Sequence, residues 1–426
     1  LNDSGSFALV YGEEFRSQVA QIRDSLETVK HFICVGNAPE GDIGYESLLE
    51  FSPPQTPSVL IGSDELAWIF YTSGTTGRPK GAMLTHRNLL VMLDNFLMDI
   101  NPVIPTDVLV HVAPITHASG MCVFHHIACG AASAFPLTKS FEPALVFEAI
   151  QEYRATTMFL APTMVNMLVA SPERAQYDLS SLHTVIYGGS SIYRENLMEA
   201  IGAFGNIFVQ IYGQGEAPMT ITTLSKQEHL VEGDPARLER LTSAGREVTG
   251  VRVRVVDEKE QDVSIGHVGE IVVRSDLVMK GYWNSPDVTA ETLKGGWLHT
   301  GDLGYLDDQG YLFITDRKKD MIISGGANIY PREVEEVFAM HPAVSEVSVI
   351  GVPDKKWGEA VKALVVLHRG SQATAEEMIR FCKDHIASYK KPQSVEFLDN
   401  LPKNAYGKVL KRQLRERYWA DQETRV

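Results

Sequence analysis

The chain of 426 residues reads as α/β: a large N-terminal domain of parallel α/β layers plus a small β-barrel-like part, then a small α+β C-terminal domain. Three observations predict this. Between Val108 and Ile211, short apolar runs alternate with helical repeats, the pattern of a parallel sheet covered by helices. From Gly250 the period becomes two, with Val251, Val253 and Val255 alternating with Arg252 and Arg254, which signals antiparallel strands. Beyond the charged run Thr315-Asp-Arg-Lys-Lys-Asp320 the order changes again, to helix, two strands and helix. Length alone suggests roughly three domains.

Composition narrows the class. An apolar fraction of 44% leaves enough to bury in ordinary cores. A formal charge of −15 gives no basic footprint and speaks against nucleic acid as a partner. The four cysteines (Cys34, Cys122, Cys129, Cys382) show no framework spacing, which suits a reducing cytoplasm. No run has the length of a transmembrane segment, and no signal peptide opens the chain. Cys122, His125, His126 and Cys129 lie close together, but in an apolar, helix-like setting without paired Cys-x-x-Cys spacing. Buried helix residues are the expectation there.

Val19, Ile22 and Leu26 recur at helical spacing and His31–Val35 reads as a strand, so the chain begins inside an α/β layer. Residues 37–63 carry Gly, Pro and Ser and read as an exposed connection. Leu66–Tyr71 has the aromatic content of a buried strand. It leads into Tyr71-Thr-Ser-Gly-Thr-Thr-Gly-Arg-Pro-Lys-Gly-Ala-Met-Leu-Thr-His86, after which Leu89, Leu90, Met92, Leu93 and Phe96 recur at helical spacing. Gly74, Gly77 and Gly81 let a polyanion approach backbone N–H groups, while Ser73, Thr75, Thr76, Arg78 and Lys80 add hydroxyls and charge. Strand, glycine-rich loop and helix is the usual phosphate cradle. It is not a Walker A loop, which needs four residues between its glycines, where this one has Thr75 and Thr76.

This stretch resembles the phosphate-binding signature of the adenylate-forming superfamily, the acyl- and aryl-CoA synthetases. The resemblance implies ATP-dependent activation of a carboxylic acid, with Thr72, Ser73, Gly74, Thr75, Thr76, Gly77 and Lys80 holding ATP. It also implies that about another hundred residues precede Leu1, so the chain is expected to be truncated at its N-terminus.

Further motifs follow in the family's order. After the strand Val108–Val112, the turn Ile115-Thr-His-Ala-Ser-Gly120 places His117 where the family lines its acyl pocket. Pro143–Tyr153 reads as a helix, Thr157–Leu160 as a strand, and about Pro162–Val169 as a helix. The strand Leu182–Tyr187 runs into Gly188, Gly189 and Ser190, and Ile207–Ile211 into Tyr212-Gly-Gln-Gly-Glu216. Parallel sheets bind ligands at such carboxyl ends, so Gly188, Gly189, Ser190, Tyr212, Gly213 and Gln214 are expected at the nucleotide. By resemblance Glu216 holds Mg²⁺, a role suited to a hard carboxylate oxygen. Gly215 departs from the family's usual Thr.

Asp302, in Gly296-Trp-Leu-His-Thr-Gly-Asp302, matches the family's ribose ligand, joined by Arg317. Lys319 matches the hinge, and Gly325 and Gly326 match the thiol tunnel. Lys408, in Pro402-Lys-Asn-Ala-Tyr-Gly-Lys408, matches the catalytic lysine, and the basic helix after it would alone be a solvated tail. The expected domains are 1–316, with a β-rich part over about 220–316, a hinge at 317–319, and a small mobile domain over 320–426.

The resemblance implies a ligase in two steps, acyl-AMP formation and then transfer to CoA, with ATP, Mg²⁺ and CoA as requirements. Lys408, Lys80 and His117 would carry catalysis. A carrier protein's phosphopantetheine is an alternative acceptor, and a silent nucleotide- or acyl-binding module the reading from another class. The pocket candidates His117, Ala118, Gly188, Gly215 and Ala217 are small or neutral, so a fatty or an aryl acid both fit. A homodimer is compatible with this reading.

Overall fold

The computed structural model describes residues 1–51, 59–72, 79–136, 141–403 and 409–419. The chain divides into two compact units, residues 1–88 with 279–291, and residues 89–278 with 292–426.

The first unit opens on a parallel three-stranded sheet, β1 (Ala8–Gly12), β2 (His31–Val35) and β3 (Ile43–Gly44). Helix α1 (Arg16–Ile22) joins β1 to β2 and packs Val19 against Tyr11 and Cys34, so the expected α/β start is present. The expected exposed connection over 37–63 is not continuous, because it includes β3 and helix α2 (Tyr45–Phe51). The phosphate stretch also differs from expectation. β4 (Leu66–Thr72) and β5 (Lys80–Thr85) pair antiparallel, in register from Leu66↔Thr85 to Thr72↔Lys80. β4 and β5 thus form a hairpin, and helix α3 (His86–Asn95) starts only after β5. Nor is β4 buried: among the described residues β5 is its only strand partner, and Leu66 and Tyr71 stay about two-fifths exposed. Residues 281–283 run along the far edge of β5 through bonds such as Met83 N–H to Gly281 O (2.9 Å).

The second unit is built on a seven-stranded sheet. Its parallel part comprises β6 (Val108–Val110), β7 (Ala132–Ala134), β8 (Thr157–Leu160), β9 (Thr184–Tyr187) and β10 (Phe208–Gln214). Connecting helices are α4 (Ala118–Ala128), α5 (Pro143–Tyr153), α6 (Pro162–Ala170) and α7 (Arg194–Phe204). Proline at the first position starts α5 and α6, where no N–H is required. All residues of β8 and β9 are buried, as expected of a sheet covered on both faces. In space the order is β10-β9-β8-β6-β7, extended antiparallel beyond β10 by β11 (Ala217–Leu224) and β12 (Arg246–Glu247), with helix α8 (Pro235–Arg240) between those two in sequence.

Residues 252–317 form an antiparallel sheet of β13 (Arg252–Val256), β14 (Gly269–Arg274), β15 (Leu293–Lys294), β16 (Trp297–Leu306) and β17 (Leu312–Arg317). Helix α9 (Pro286–Thr292) precedes β15 in sequence. The antiparallel pairing expected from Gly250 onward is present, but burial does not alternate throughout β13 and β14, since Val255 and Val256 are both buried, as are Ile271, Val272 and Val273.

The small α+β part has strand order β19-β18-β21-β20, from β18 (Ile322–Ser324), β19 (Ala327–Ile329), β20 (Val344–Asp354) and β21 (Gly358–Leu367), with β22 (Ser394–Phe397) parallel to β21. Alternation along β21 splits its faces. Val361, Ala363 and Val365 meet α10 (Pro331–Ala339) and α11 (Ala375–His385), while Leu364 meets Leu414 of α12 (Lys411–Trp419). Thr374 and Glu377 close a capping box at the start of α11. The basic last helix is therefore no solvated tail: Leu414 is 1% exposed, and Lys411 is half-buried and 2.8 Å from Glu335. Among the described residues, no helix is long and apolar enough to cross a membrane.

Candidate active site

Three motifs distant in sequence converge on Asp302. Its carboxylate is 5% exposed and lies in β16 rather than in the turn its glycine-rich surroundings suggest. Oδ2 accepts from the Tyr212 hydroxyl (2.7 Å) and from Gln214 Nε2 (2.6 Å), and Oδ1 lies 3.3 Å from Arg317 Nε. Pairing of β16 with β17 sets Asp302 directly opposite Arg317. Two hydrogen bonds and the Arg317 ion pair leave part of the carboxylate's roughly four lone-pair sites for a ligand hydroxyl. Burial and the adjacent Asp302 charge hold the Tyr212 phenol far above its usual range, so it stays a donor. For Arg317, burial opposes the charged form, but Asp302, Asp320 and Glu216 more than offset it.

Tyr212, Gly213 and Gln214 belong to β10 itself, which turns through Gly215 and Glu216 into β11, so the expected loop is a tight hairpin. The register shifts between Tyr212 and Gln214. Gly213 is required there: a Cβ would stand 2.4 Å from the backbone N of Met219. Glu216 offers one hard oxygen ligand at the turn. Among the described residues no three His, Cys, Asp or Glu side chains could jointly hold a metal. Mg²⁺ itself binds through one or two carboxylates plus substrate phosphates.

Gly188, Gly189 and Ser190 follow β9 directly, with Gly189 at φ +82°, and Ser190 is exposed. His117 caps the N-terminus of α4, half-buried, in the turn after β6. The strand order reverses between β6 and β8, and open α/β sheets bind ligands in the crevice at such a switch point. The sequence contains no direct signal for that reversal. In α4, the His126 imidazole donates Nδ1–H to the Cys122 carbonyl (3.0 Å), and His125 stacks on Phe96. These are buried helix residues, as expected.

Thr72 and Lys80 belong to the first unit, paired across the hairpin, with Lys80 Nζ 5.4 Å from the centre of the Tyr282 ring. Ser73, Gly74, Thr75, Thr76, Gly77 and Lys408 lie outside the described residues. Gly325 and Gly326 form the turn between β18 and β19.

Sequence reasoning missed three groups. Trp357 is 45% exposed beside Gly325, where an added Cβ would stand 2.5 Å from the indole. Tyr193, after the glycine loop, packs against the core of the small α+β part. The charged run around Lys319 is only partly solvated: the side chains of Asp316 and Asp320 are largely buried beside Lys411 and Arg415 of α12. Only Trp357, a large aromatic in the turn-like Lys-Lys-Trp-Gly-Glu, could have been flagged from sequence.

Residues 1–283 match the model of the AMP-binding enzyme family, and residues 333–408 match that of the AMP-binding enzyme C-terminal domain. The chain belongs to the AMP-binding enzyme family. It is 38% identical to the medium/long-chain-fatty-acid–CoA ligase FadD8 of Mycobacterium tuberculosis, over 98% of this chain and 74% of that protein. It is also 38% identical to a feruloyl-CoA synthase of an Amycolatopsis species, over 98% of this chain and 80% of that one. A solved structure of the amide bond synthetase McbA from Marinactinospora thermotolerans superposes with a TM-score of 0.87 at 33% identity, covering 97% of this chain and 80% of that one. The expected fold and family therefore hold, and with them an AMP-forming acid–thiol ligase that uses ATP, Mg²⁺ and CoA.

Proposed function

We propose that this AMP-binding enzyme activates a fatty or aryl monocarboxylic acid, through the residue roles its motifs suggest. The observation that carries the reading is the buried Asp302 carboxylate, gathered with Tyr212, Gln214 and Arg317 into a cluster with room for a ribose hydroxyl. In the first step an acid oxygen attacks the α-phosphorus of ATP, pyrophosphate leaves, and a mixed anhydride forms. In the second a thiol attacks the acyl carbon and AMP leaves.

Lys80 and the loop at 72–77 would bind phosphates, and Gly188, Gly189, Ser190 and Gly213 would line the nucleotide. Asp302 and Arg317 would hold the ribose, and His117 the acyl group near the β6–β8 switch point. Glu216 would hold Mg²⁺, which when bound neutralises phosphate charge. Lys408 would offset the charge that develops at the transferred phosphoryl group. Residues 1–316 would act as the large domain, and 320–426 as a small domain turning about 317–319. Gly325 and Gly326 would then admit the thiol of CoA. We place the enzyme in the cytoplasm, where its four free cysteines stay reduced, and keep a homodimer within the proposal.

Pyrophosphate release with a panel of fatty, aryl and dicarboxylic acids tests the first step, and thioester detection after adding CoA tests the second. Release with monocarboxylates and thioester formation are expected. Preference for dicarboxylates would overturn the substrate class. Turnover with an amine but not with CoA would overturn the acceptor, an outcome the amide bond synthetase makes worth testing.

A further inference from the structure

We propose that Asp316 is a positioning residue for acyl-AMP formation, its carboxylate clasping Lys411 across the proposed hinge and holding the small domain in the arrangement seen here. The inference rests on the two-step, two-arrangement reading under Proposed function.

Asp316 lies in β17, before residues 317–319, and its side chain is 7% exposed. Its Oδ2 accepts from the backbone N–H of Arg332, in the first turn of α10 (3.2 Å), and lies 3.9 Å from Lys411 Nζ in α12. Both partners come after the hinge, so both contacts cross it. The neighbouring ion pairs do not. Lys411 to Glu335 (2.8 Å) and Arg415 to Asp320 lie wholly beyond residue 319 and would travel with the small domain.

This asymmetry decides where the energy sits. If the small domain turns about Lys319, Lys411 keeps Glu335, whereas Asp316 loses its cation and its helix N-terminus together. Oδ1 keeps the Arg317 N–H (2.7 Å), but Oδ2 gives up an ion pair and a hydrogen bond that only the present arrangement supplies, so the clasp favours that arrangement. Asp316 also precedes Arg317, which pairs with Asp302, and Lys411 follows Lys408 by three residues in the sequence. With the arrangement seen here taken as the adenylating one, the clasp ties the segment that follows Lys408 in sequence to the strand that carries Arg317.

The test compares pyrophosphate release from acid plus ATP with thioester formation from preformed acyl-AMP plus CoA. Asp316→Asn keeps an acceptor for Arg332 but loses the charge. It should slow the first reaction at least about tenfold while leaving the second within about twofold of the parent. Lys411→Met should show the same split, Lys411→Arg should restore the first reaction, and the double variant should lose little more than either single one. Glu396→Gln, which breaks the Lys362–Glu396 pair in the same small domain, should leave the ratio unchanged. Equal loss of both reactions, or of neither, in Asp316→Asn and Lys411→Met would overturn the clasp. A parent enzyme that releases no pyrophosphate with any acid would overturn the ligase reading itself, and this inference with it.

Discussion

The Tyr212 hydroxyl donates to Oδ2 of Asp302 at 2.7 Å, joining two residues 90 positions apart inside one buried cluster. A hydrogen bond to a charged acceptor contributes about 1.5–3 kcal/mol, and Asp302 accepts from two donors and pairs with Arg317. Asp302→Asn should therefore lower kcat/KM for ATP at least about tenfold, with a smaller fall in Tyr212→Phe. Initial rates of pyrophosphate release at varied ATP measure this. An unchanged KM for ATP in both variants would move the ribose elsewhere.

Gly213→Ala should damage stability and activity together. The added methyl would meet the backbone of Met219 at 2.4 Å, which no rotamer change can relieve. Overpacking of this kind costs about 1–3 kcal/mol, enough to lower the thermal midpoint by several degrees. A midpoint equal to that of the parent would show that the β10–β11 hairpin has more room than its geometry indicates.

Stability should fall as the solution is acidified from neutrality. Burial pushes His111 and His229 down to about 4 and His125 down to about 3. His229 is held neutral between the Ser225 carbonyl (2.7 Å from Nδ1) and the Tyr187 hydroxyl (2.9 Å from Nε2). Unfolded imidazoles take up protons near pH 6.5, so below that value the unfolded chain binds more protons. The stability present above about 6.5 is thus lost progressively towards about 4. Urea midpoints should be lower near pH 5 than near pH 7, and His229→Gln should flatten the difference. A parent midpoint that does not move between those conditions would contradict neutral burial.

Lys80→Met should weaken ATP use and leave the fold intact. Lys80 begins β5, half-exposed, and its contact with Tyr282 contributes at most about 1 kcal/mol. Adenylation should drop while the melting temperature barely changes. Full activity of Lys80→Met would remove the residue from the phosphate site.

Lys408→Ala and Gly326→Leu should separate the two half-reactions. Losing one preorganised charge contact costs about 3–4 kcal/mol, so Lys408→Ala should lose acid-plus-ATP activity yet make thioester from supplied acyl-AMP. Gly326 has φ +80° and nothing within 4 Å of an added Cβ, so a leucine there points into open space where the thiol would pass. That variant should adenylate and fail with CoA. Equal loss of both steps in both variants would end the two-arrangement mechanism.

Much of this was legible because periodicity and prolines act locally. Pro143–Tyr153 and Thr157–Leu160 emerge with the boundaries read from sequence, since Pro143 starts the helix and a buried parallel strand is uniformly apolar. The errors arose where pairing at a distance decides. Two glycines made residues 212–216 read as a loop, yet β11 draws Tyr212–Gln214 into a strand and needs Gly213 beneath Met219. Gly301 made Asp302 read as a turn residue, yet β17 holds it in a ladder. Lys80 read as the end of a helix-capped cradle because the register between β4 and β5 leaves no local trace. Arg415 and Asp320 are 95 residues apart, and nothing in either neighbourhood announces the other.

The discontinuity of the first compact unit has a consequence for biosynthesis. Its two pieces, residues 1–88 and 279–291, are separated in the chain by residues 89–278, which is 278 − 88 = 190 residues. Asp3 meets Trp283 only through the second piece, where its carbonyl accepts the indole N–H at 2.7 Å. A ribosome adding about 5–20 residues per second needs roughly 10–40 s to make the intervening stretch. Throughout that interval β5 has an open edge. The nascent β4–β5 hairpin thus keeps an unpaired strand edge, a site for wrong pairing, until residues 281–283 emerge.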